Sequence, residues 1–556
     1  MGKAKWWKEA VAYEIYPKSF KDANGDGIGD IQGIIEKLDY LEDLGIELIW
    51  ICPIYQSPND DNGYDISDYK EIAAEYGTMA DFEALLEEVH KRGMRLIMDL
   101  VINHTSDEHE WFIESKSSKD SEYRDFYIWR SGQEKGKHPN NWASIFGGSI
   151  WEYDDETEEY YMHIFSKKQP DLNWENQEVR NRLYEMVNWW LDKGIDGFRI
   201  DAISHIKKKE GLPDLPNPQK EPFVESYDGH LNQPGIDVFL TEFTEKTTKQ
   251  YDAVTVGEAN GVTVHDAEHW ADEESGYFNM IFQFEHVELW GTKSSGLDLN
   301  QLKTSLSRWQ AALDKKGWNA LFIENHDLPR VVSTWGNDQT YHKESATALA
   351  VMYFFMQGTP FIYQGQELGM TNVKYHTIDD YRDVAIKNYY QSEIEKGKAQ
   401  EEVMTYIWSN GRDNSRTPMQ WKNTKQAGFT EGTAWLKVNP NYTTLNAETQ
   451  QSDPDSIYHF YKRMIQLRKT EKTLIYGTYT LIAEQHPQVF AYIRSSEERH
   501  FLVYANLSSK NTSVDVPEEW RIKKTILTNY TDRTESGQIL NLKPYEAGIC
   551  KITPVK

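Results

Sequence analysis

Eight short apolar runs, separated by amphipathic helical stretches, constrain the fold of this chain more than any other feature. They are Ala12 to Pro17, Leu48 to Ile54, Arg95 to Ile102, Gly197 to Ile203, Ala253 to Glu258, Phe278 to Phe284, Asn319 to Ile323 and Pro360 to Gln364. Most are continuously apolar rather than alternating, as strands buried on both faces of a parallel sheet must be. Helical patterns such as Met79 to Arg92 and Gln177 to Lys193 lie between them. Eight βα units predict an α/β fold, a closed (β/α)8 TIM barrel.

Two gaps exceed plain loops. The barrel begins with residues 1–104. Residues 105–174, aromatic-rich and with a short hairpin around Ile150 to Phe165, read as an inserted subdomain after the third strand. The barrel resumes over 175–477, with a second insertion at about 372–450 of helical and loop character. From 478 to 556 the runs alternate, as in Thr478 to Ile482 and His500 to Leu507, which predicts a C-terminal antiparallel β-sandwich.

Composition narrows the partners. Asp and Glu total 88 against 60 Lys and Arg, a net charge of −28. Such a chain repels phosphate backbones and anionic lipid surfaces, so no nucleic acid or membrane partner is expected. The clearest apolar stretch, Ala346 to Met356, falls well short of the ~20 residues a bilayer span needs. The basic start, Met1 to Glu9, has no apolar segment behind it and is not a secretory signal. There are only two cysteines, Cys52 and Cys550, far apart in sequence, so no disulfide framework is expected and a cytoplasmic setting fits. The 19 Trp and 33 Tyr supply either a polar-tipped aromatic core or flat platforms for a hydroxyl-rich ligand such as a sugar.

Charged residues cluster where barrel chemistry is built. Asp99, Asn103 and His104 sit at or beyond the end of the third strand. Arg199 and Asp201 lie on the fourth, Glu258 ends the fifth, and His326 and Asp327 follow the seventh. The C-terminal strand ends share one face, so Asp201, Glu258 and Asp327 converge there. Singly, each suits a salt bridge or helix cap; together, with Arg199 and two histidines, they point to catalysis, because unpaired buried carboxylates are costly. Glycoside hydrolysis needs such a set: one carboxyl attacks the anomeric carbon or activates water, and another protonates the leaving oxygen. Arg199, two residues before Asp201 on one strand, shares its face and would keep it ionised.

At these residues the chain resembles the α-amylase superfamily, glycoside hydrolase family 13. Asp99 to His104 (DLVINH), Gly197 to His205 (GFRIDAISH), Val256 to Asn260 (VGEAN) and Glu324 to Asp327 (ENHD) are similar to its four ordered motifs. The resemblance implies a retaining double displacement on α-glucosides, with Asp201 as nucleophile, Glu258 as acid/base and Asp327 as transition-state carboxylate. Gln169 to Asn173 (QPDLN), Asp61 to Tyr64 (DNGY) and Arg412 to Trp421 (RDNSRTPMQW) are similar to the oligo-1,6-glucosidase and bacterial α-glucosidase subfamily. Ser204 departs from the Lys of typical endo-acting amylases. By this resemblance Asp61 and Arg412 pair at the pocket bottom, Tyr64 stacks under the glucose ring, and His104, Phe165, Arg199, Ala202, Asn260, His326 and Arg416 complete the substrate site.

The expected activity is an exo-acting α-glucosidase releasing glucose from maltose and short oligosaccharides. An α-1,4 preference is expected because Ala202 stands where α-1,6-specific members of the resembled subfamily usually carry Val. The alternatives are an oligo-1,6-glucosidase, a trehalose-6-phosphate hydrolase and, from another class, a non-catalytic relative like the heavy chains of amino-acid transporters. A monomer or weak oligomer is expected. Asp22, Asn24, Asp26, Ile28 and Asp30 follow the opening of an EF-hand loop, although position twelve is Gly33 and the bidentate Glu is missing. An Asp/Asn/Gly-rich turn reads the same way; the resemblance implies a structural calcium held by those five residues. No organic cofactor is expected.

Overall fold

Branched and aromatic runs too short for helices become strands when both their faces can be buried. The computed structural model describes residues 5–133, 137–291, 297–531 and 538–555; Met1 to Ala4 of the basic start therefore lie outside the described residues. Its barrel strands are β1 (Ala12–Ile15), β2 (Leu48–Ile51), β3 (Arg95–Val101), β4 (Gly197–Asp201), β5 (Val254–Ala259), β6 (Met280–Gln283), β7 (Ala320–Leu321) and β8 (Thr359–Tyr363). Each falls on one of the eight expected runs. Neighbours pair in the order β6-β5-β4-β3-β2-β1-β8-β7, and a parallel bridge from Ile281 to Asn319 closes β6 onto β7. Every residue of β1, β2, β4, β6 and β8 is buried.

Amphipathic helices form the outer ring. In α1 (Met79–Lys91) the buried residues Phe82, Leu85, Leu86 and Val89 follow one helical stripe. Thr78 and Asp81 close a reciprocal capping box at its start. α2 (Gln177–Asp192) buries a similar stripe ending in Trp190 and Leu191.

Between β3 and β4 the chain builds a small sheet from Trp129–Arg130, Trp151–Asp154 and Glu159–Met162. A separate cluster around Trp142, Ile150, Trp151 and Met162 supports it. This segment is pinned to the end of β3 by the hydrogen bond from Leu172 N to Asn103 O at 2.9 Å. After β8, the helices Val384–Glu395 and Gln400–Asn410 share a further apolar cluster.

The C-terminal part is a five-stranded antiparallel sheet and a two-stranded one. Strand alternation sorts the faces of the larger sheet. Along His500–Asn506, Phe501, Val503 and Ala505 join the barrel's core, while Leu502 and Tyr504 pack with Val514 and Leu540 of the smaller sheet. Both cysteines are buried and neither forms a disulfide. No helix among the described residues is long and apolar enough to cross a membrane.

Candidate active site

Register brings the charged residues together. Asp99 on β3 lies opposite Arg199 on β4, and Arg199 opposite Val256 on β5. Two residues further on, Glu258 therefore comes level with Asp201. Alternate residues share a face, so all four project to one side. Arg199 is only 2% exposed. Its Nη1 donates to Asp99 Oδ1 at 2.9 Å and to Asp201 Oδ1 at 2.6 Å, and its Nη2 lies 3.1 Å from Glu258 Oε2. One buried guanidinium thus ties three carboxyls. Ala202, in the left-handed region with φ 45°, donates its N–H to Glu258 Oε2 at 2.7 Å.

The carboxyls differ in proton affinity. Burial pushes Asp201 up to about 6 and Glu258 up to about 7; Arg199 opposes the rise in both, while Asp99 adds to it at Asp201 and Asp201 adds to it at Glu258. Burial also acts on Asp327, but His326, Arg412 and Arg416 outweigh it and hold this carboxyl well below the usual range. Arg416 Nη2 donates to Asp327 Oδ1 at 2.7 Å and Arg412 Nη1 at 3.3 Å.

The expected pairing of Asp61 with Arg412 is present, at 3.0 Å. Arg412 Nη2 lies nearer still to Asp383 Oδ1, at 2.6 Å, and that carboxylate is fully buried. Sequence reasoning did not single out Asp383. Its visible signal is that of a helix cap, which it also is, accepting from Ala385 N. Phe146, also not anticipated, has the Arg412 guanidinium 5.0 Å from its ring centre and packs against Phe165.

The Tyr64 ring stacks on His326 with centres 5.2 Å apart and planes 6° apart. His104 is buried, and burial lowers its pKa to about 4, so the ring is neutral. Its Nδ1 accepts from Asn103 and its Nε2 donates to the Tyr64 carbonyl at 3.0 Å. Phe165 lies against His104, with ring centres 5.1 Å apart. Asn260 is half-buried just past β5; among the described residues it makes no hydrogen bond to the cluster.

The Asp22–Asp30 loop follows β1. Its side chains turn onto its own backbone: Asp22 accepts from Gly25 N and Gly27 N, Asn24 from Asp26 N, and Asp26 from Ile28 N. Asp30 accepts from Ala23 N and Asn24 N and caps the helix Ile31–Glu36 through Gly33 N. The donor set is all hard oxygen, the type calcium takes; Asp22 Oδ2 and Asp30 Oδ2 each already accept two hydrogen bonds, and Asp22 Oδ1, Asn24 Oδ1, Asp26 Oδ1 and Asp30 Oδ1 accept one each and keep a further lone pair.

A closed parallel barrel with buried carboxyls gathered at its strand ends defines the class of barrel glycoside hydrolases. The chain belongs to the alpha-amylase family, glycoside hydrolase family 13, and is a glycoside hydrolase: the family's alpha amylase catalytic domain matches residues 14–477. The alpha-amylase SusG C-terminal domain matches residues 489–549. The chain is 56% identical over 553 residues to "Probable oligo-1,6-glucosidase 3" of Bacillus subtilis, covering 98% of this chain and 99% of that one. It is 52% identical over 554 residues to the oligo-1,6-glucosidase of Halalkalibacterium halodurans, covering 98% of each. Among solved structures, the trehalose-6-phosphate hydrolase of Bacillus licheniformis superposes with a TM-score of 0.93 at 45% identity, over 99% of this chain and 100% of that one.

Proposed function

We propose that the chain is an exo-acting, retaining α-glucosidase that removes glucose from the non-reducing end of short oligosaccharides, with α-1,6 links its main target. The observation that carries this reading is the single guanidinium of Arg199 within 3.1 Å of both Asp201 and Glu258. Two carboxyls tied to one cation suit the spacing of a retaining pair, about 5 Å. The oligo-1,6-glucosidase names of the relatives favour α-1,6 over the α-1,4 preference expected from Ala202.

Asp201, ionised beside Arg199, attacks the anomeric carbon as the C1–O bond breaks. Glu258, protonated, gives its proton to the leaving oxygen, and a glycosyl ester forms on Asp201. Glu258, now a carboxylate, takes a proton from water. That water attacks C1, frees Asp201 and yields α-glucose. Asp327, ionised, faces the positive charge that develops at the ring in both steps. Asp61, Arg412 and Asp383 hold the non-reducing-end hydroxyls, and this ion-paired floor limits action to chain ends.

One observation favours a second reading, in which maltose is preferred: Ala202 is small and directly follows the nucleophile, leaving room for an α-1,4-linked ring. The test is kcat/KM on isomaltose, maltose and trehalose 6-phosphate. Isomaltose is expected to lead; maltose in front would reinstate the α-1,4 reading, and trehalose 6-phosphate in front would favour the hydrolase of that sugar phosphate. Calcium is proposed for Asp22, Asn24, Asp26, the Ile28 carbonyl and Asp30, where it would brace the loop. A cytoplasmic location is proposed as well.

A further inference from the structure

Glu14 occupies the middle of β1, in an otherwise apolar strand, and is 1% exposed. Its Oε1 lies 2.5 Å from Nδ1 of His326. Cys52 Sγ lies 3.6 Å from the same oxygen and 3.7 Å from the same nitrogen. These are the only three His, Cys, Asp or Glu side chains among the described residues whose ligating atoms lie within 4.8 Å of one another. A metal is not the natural occupant. Two ligands of one zinc ion, each ~2 Å from it, sit roughly 3 Å apart or more. A gap of 2.5 Å is that of a proton between nitrogen and carboxylate.

The other ring nitrogen of His326 faces oxygen as well. Nε2 lies 2.8 Å from Tyr64 Oη and 3.3 Å from Asp327 Oδ2. Tyr64 has one hydroxyl proton and donates it to Asp99 Oδ2 at 3.0 Å. Asp99 is an acceptor there, since it also receives Arg199 Nη1 and Trp50 Nε1. Tyr64 therefore offers His326 only a lone pair. Both ring nitrogens face acceptors, so both must carry hydrogen.

We infer that Glu14 is a positioning residue that keeps His326 doubly protonated, so that a fixed imidazolium supports Tyr64 and Asp327 beneath the substrate. This rests on the α-glucosidase reading for its purpose but not for its test. The charges facing the ring are Glu14 from β1, Asp99 from β3, Asp327 beside it and Arg416, whose Nε donates to the His326 carbonyl at 3.0 Å; Cys52 and Tyr64 are the neutral titratable neighbours, with Tyr16 stacked 6.0 Å away. Burial works against the cation, yet Asp327 and Glu14 outweigh it and the His326 pKa is raised. The charge is therefore present below the ordinary histidine value and lost as pH rises through the raised one.

The test is 15N spectroscopy of the histidine rings in resting enzyme without substrate, with the His326 signal identified by its loss in His326→Gln. Just above the ordinary histidine value of ~6.5, the wild-type ring should still carry both protons. In Glu14→Gln the same ring should be neutral, and kcat/KM should fall roughly 10- to 100-fold, the worth of one charge-assisted hydrogen bond. Glu14→Asp should recover part of both. A neutral His326 in the wild type at that pH, or a ring still doubly protonated in Glu14→Gln, overturns the inference. Should Glu14→Gln fail to fold, the wild-type titration decides alone. Failure to cleave any α-glucoside would overturn the functional reading and leave the spectra untouched.

Discussion

The amide of Ala202 donates a 2.7 Å hydrogen bond to Oε2 of Glu258. The residue that follows Asp201 therefore holds the carboxyl assigned as its acid partner, and the two roles are mechanically linked. Asp201→Asn keeps the shape and removes the nucleophile; kcat should drop by several orders of magnitude with the thermal transition unchanged. Glu258→Gln should be severe for isomaltose but much milder for an aryl α-glucoside, whose leaving group needs little protonation. Equal losses on both substrates would remove Glu258 from the acid role.

The pH profile follows from the same pair. Asp201 must be ionised, and it gains its proton as pH falls through about 6. Glu258 must be protonated, and it loses its proton as pH rises through about 7. The expected kcat/KM profile is a narrow bell between those two values. Activity flat into alkaline solution would contradict a protonated Glu258.

Ala202 also makes a linkage prediction with a stability consequence. Its φ of 45° lies where β-branched residues are strained. Ala202→Val should cost about 1–3 kcal/mol of stability, read as a lower Tm. It should also raise the ratio of isomaltose to maltose kcat/KM, because the added methyl groups crowd an α-1,4-linked leaving ring. A ratio that moves towards maltose would remove Ala202 from linkage choice.

If calcium braces the Asp22–Asp30 loop, a chelator should lower Tm by mass action. Asp26→Ala should abolish that response and leave kcat at saturating substrate nearly unchanged. Protein prepared with calcium that carries none by elemental analysis would dispose of the site.

Much of this was legible in sequence because the signals were local. A non-alternating strand followed by a charged residue places that residue at the barrel's working face, so Asp99, Arg199, Asp201, Glu258 and Asp327 were all readable. The pairing of Asp61 with Arg412 was read only through the family resemblance, since 351 positions separate them. Asp383 stayed hidden because an Asp before a helix looks the same whether it caps, pairs with an Arg or does both. Glu14 was visible as a carboxylate inside an apolar strand, but its partner His326 lies 312 positions away and only barrel closure joins them. The strain at Ala202 was invisible, since nothing in the residue type announces a left-handed backbone.

The most direct test of the central claim is the anomeric form of the glucose first released from an aryl α-glucoside, whose leaving group is not itself a glucose, followed by 1H NMR before mutarotation. The account predicts α-glucose first, with the β form growing in only as the sugar equilibrates, and no release by Asp201→Asn. β-Glucose as the first product, or release that survives Asp201→Asn, would contradict the double displacement on Asp201.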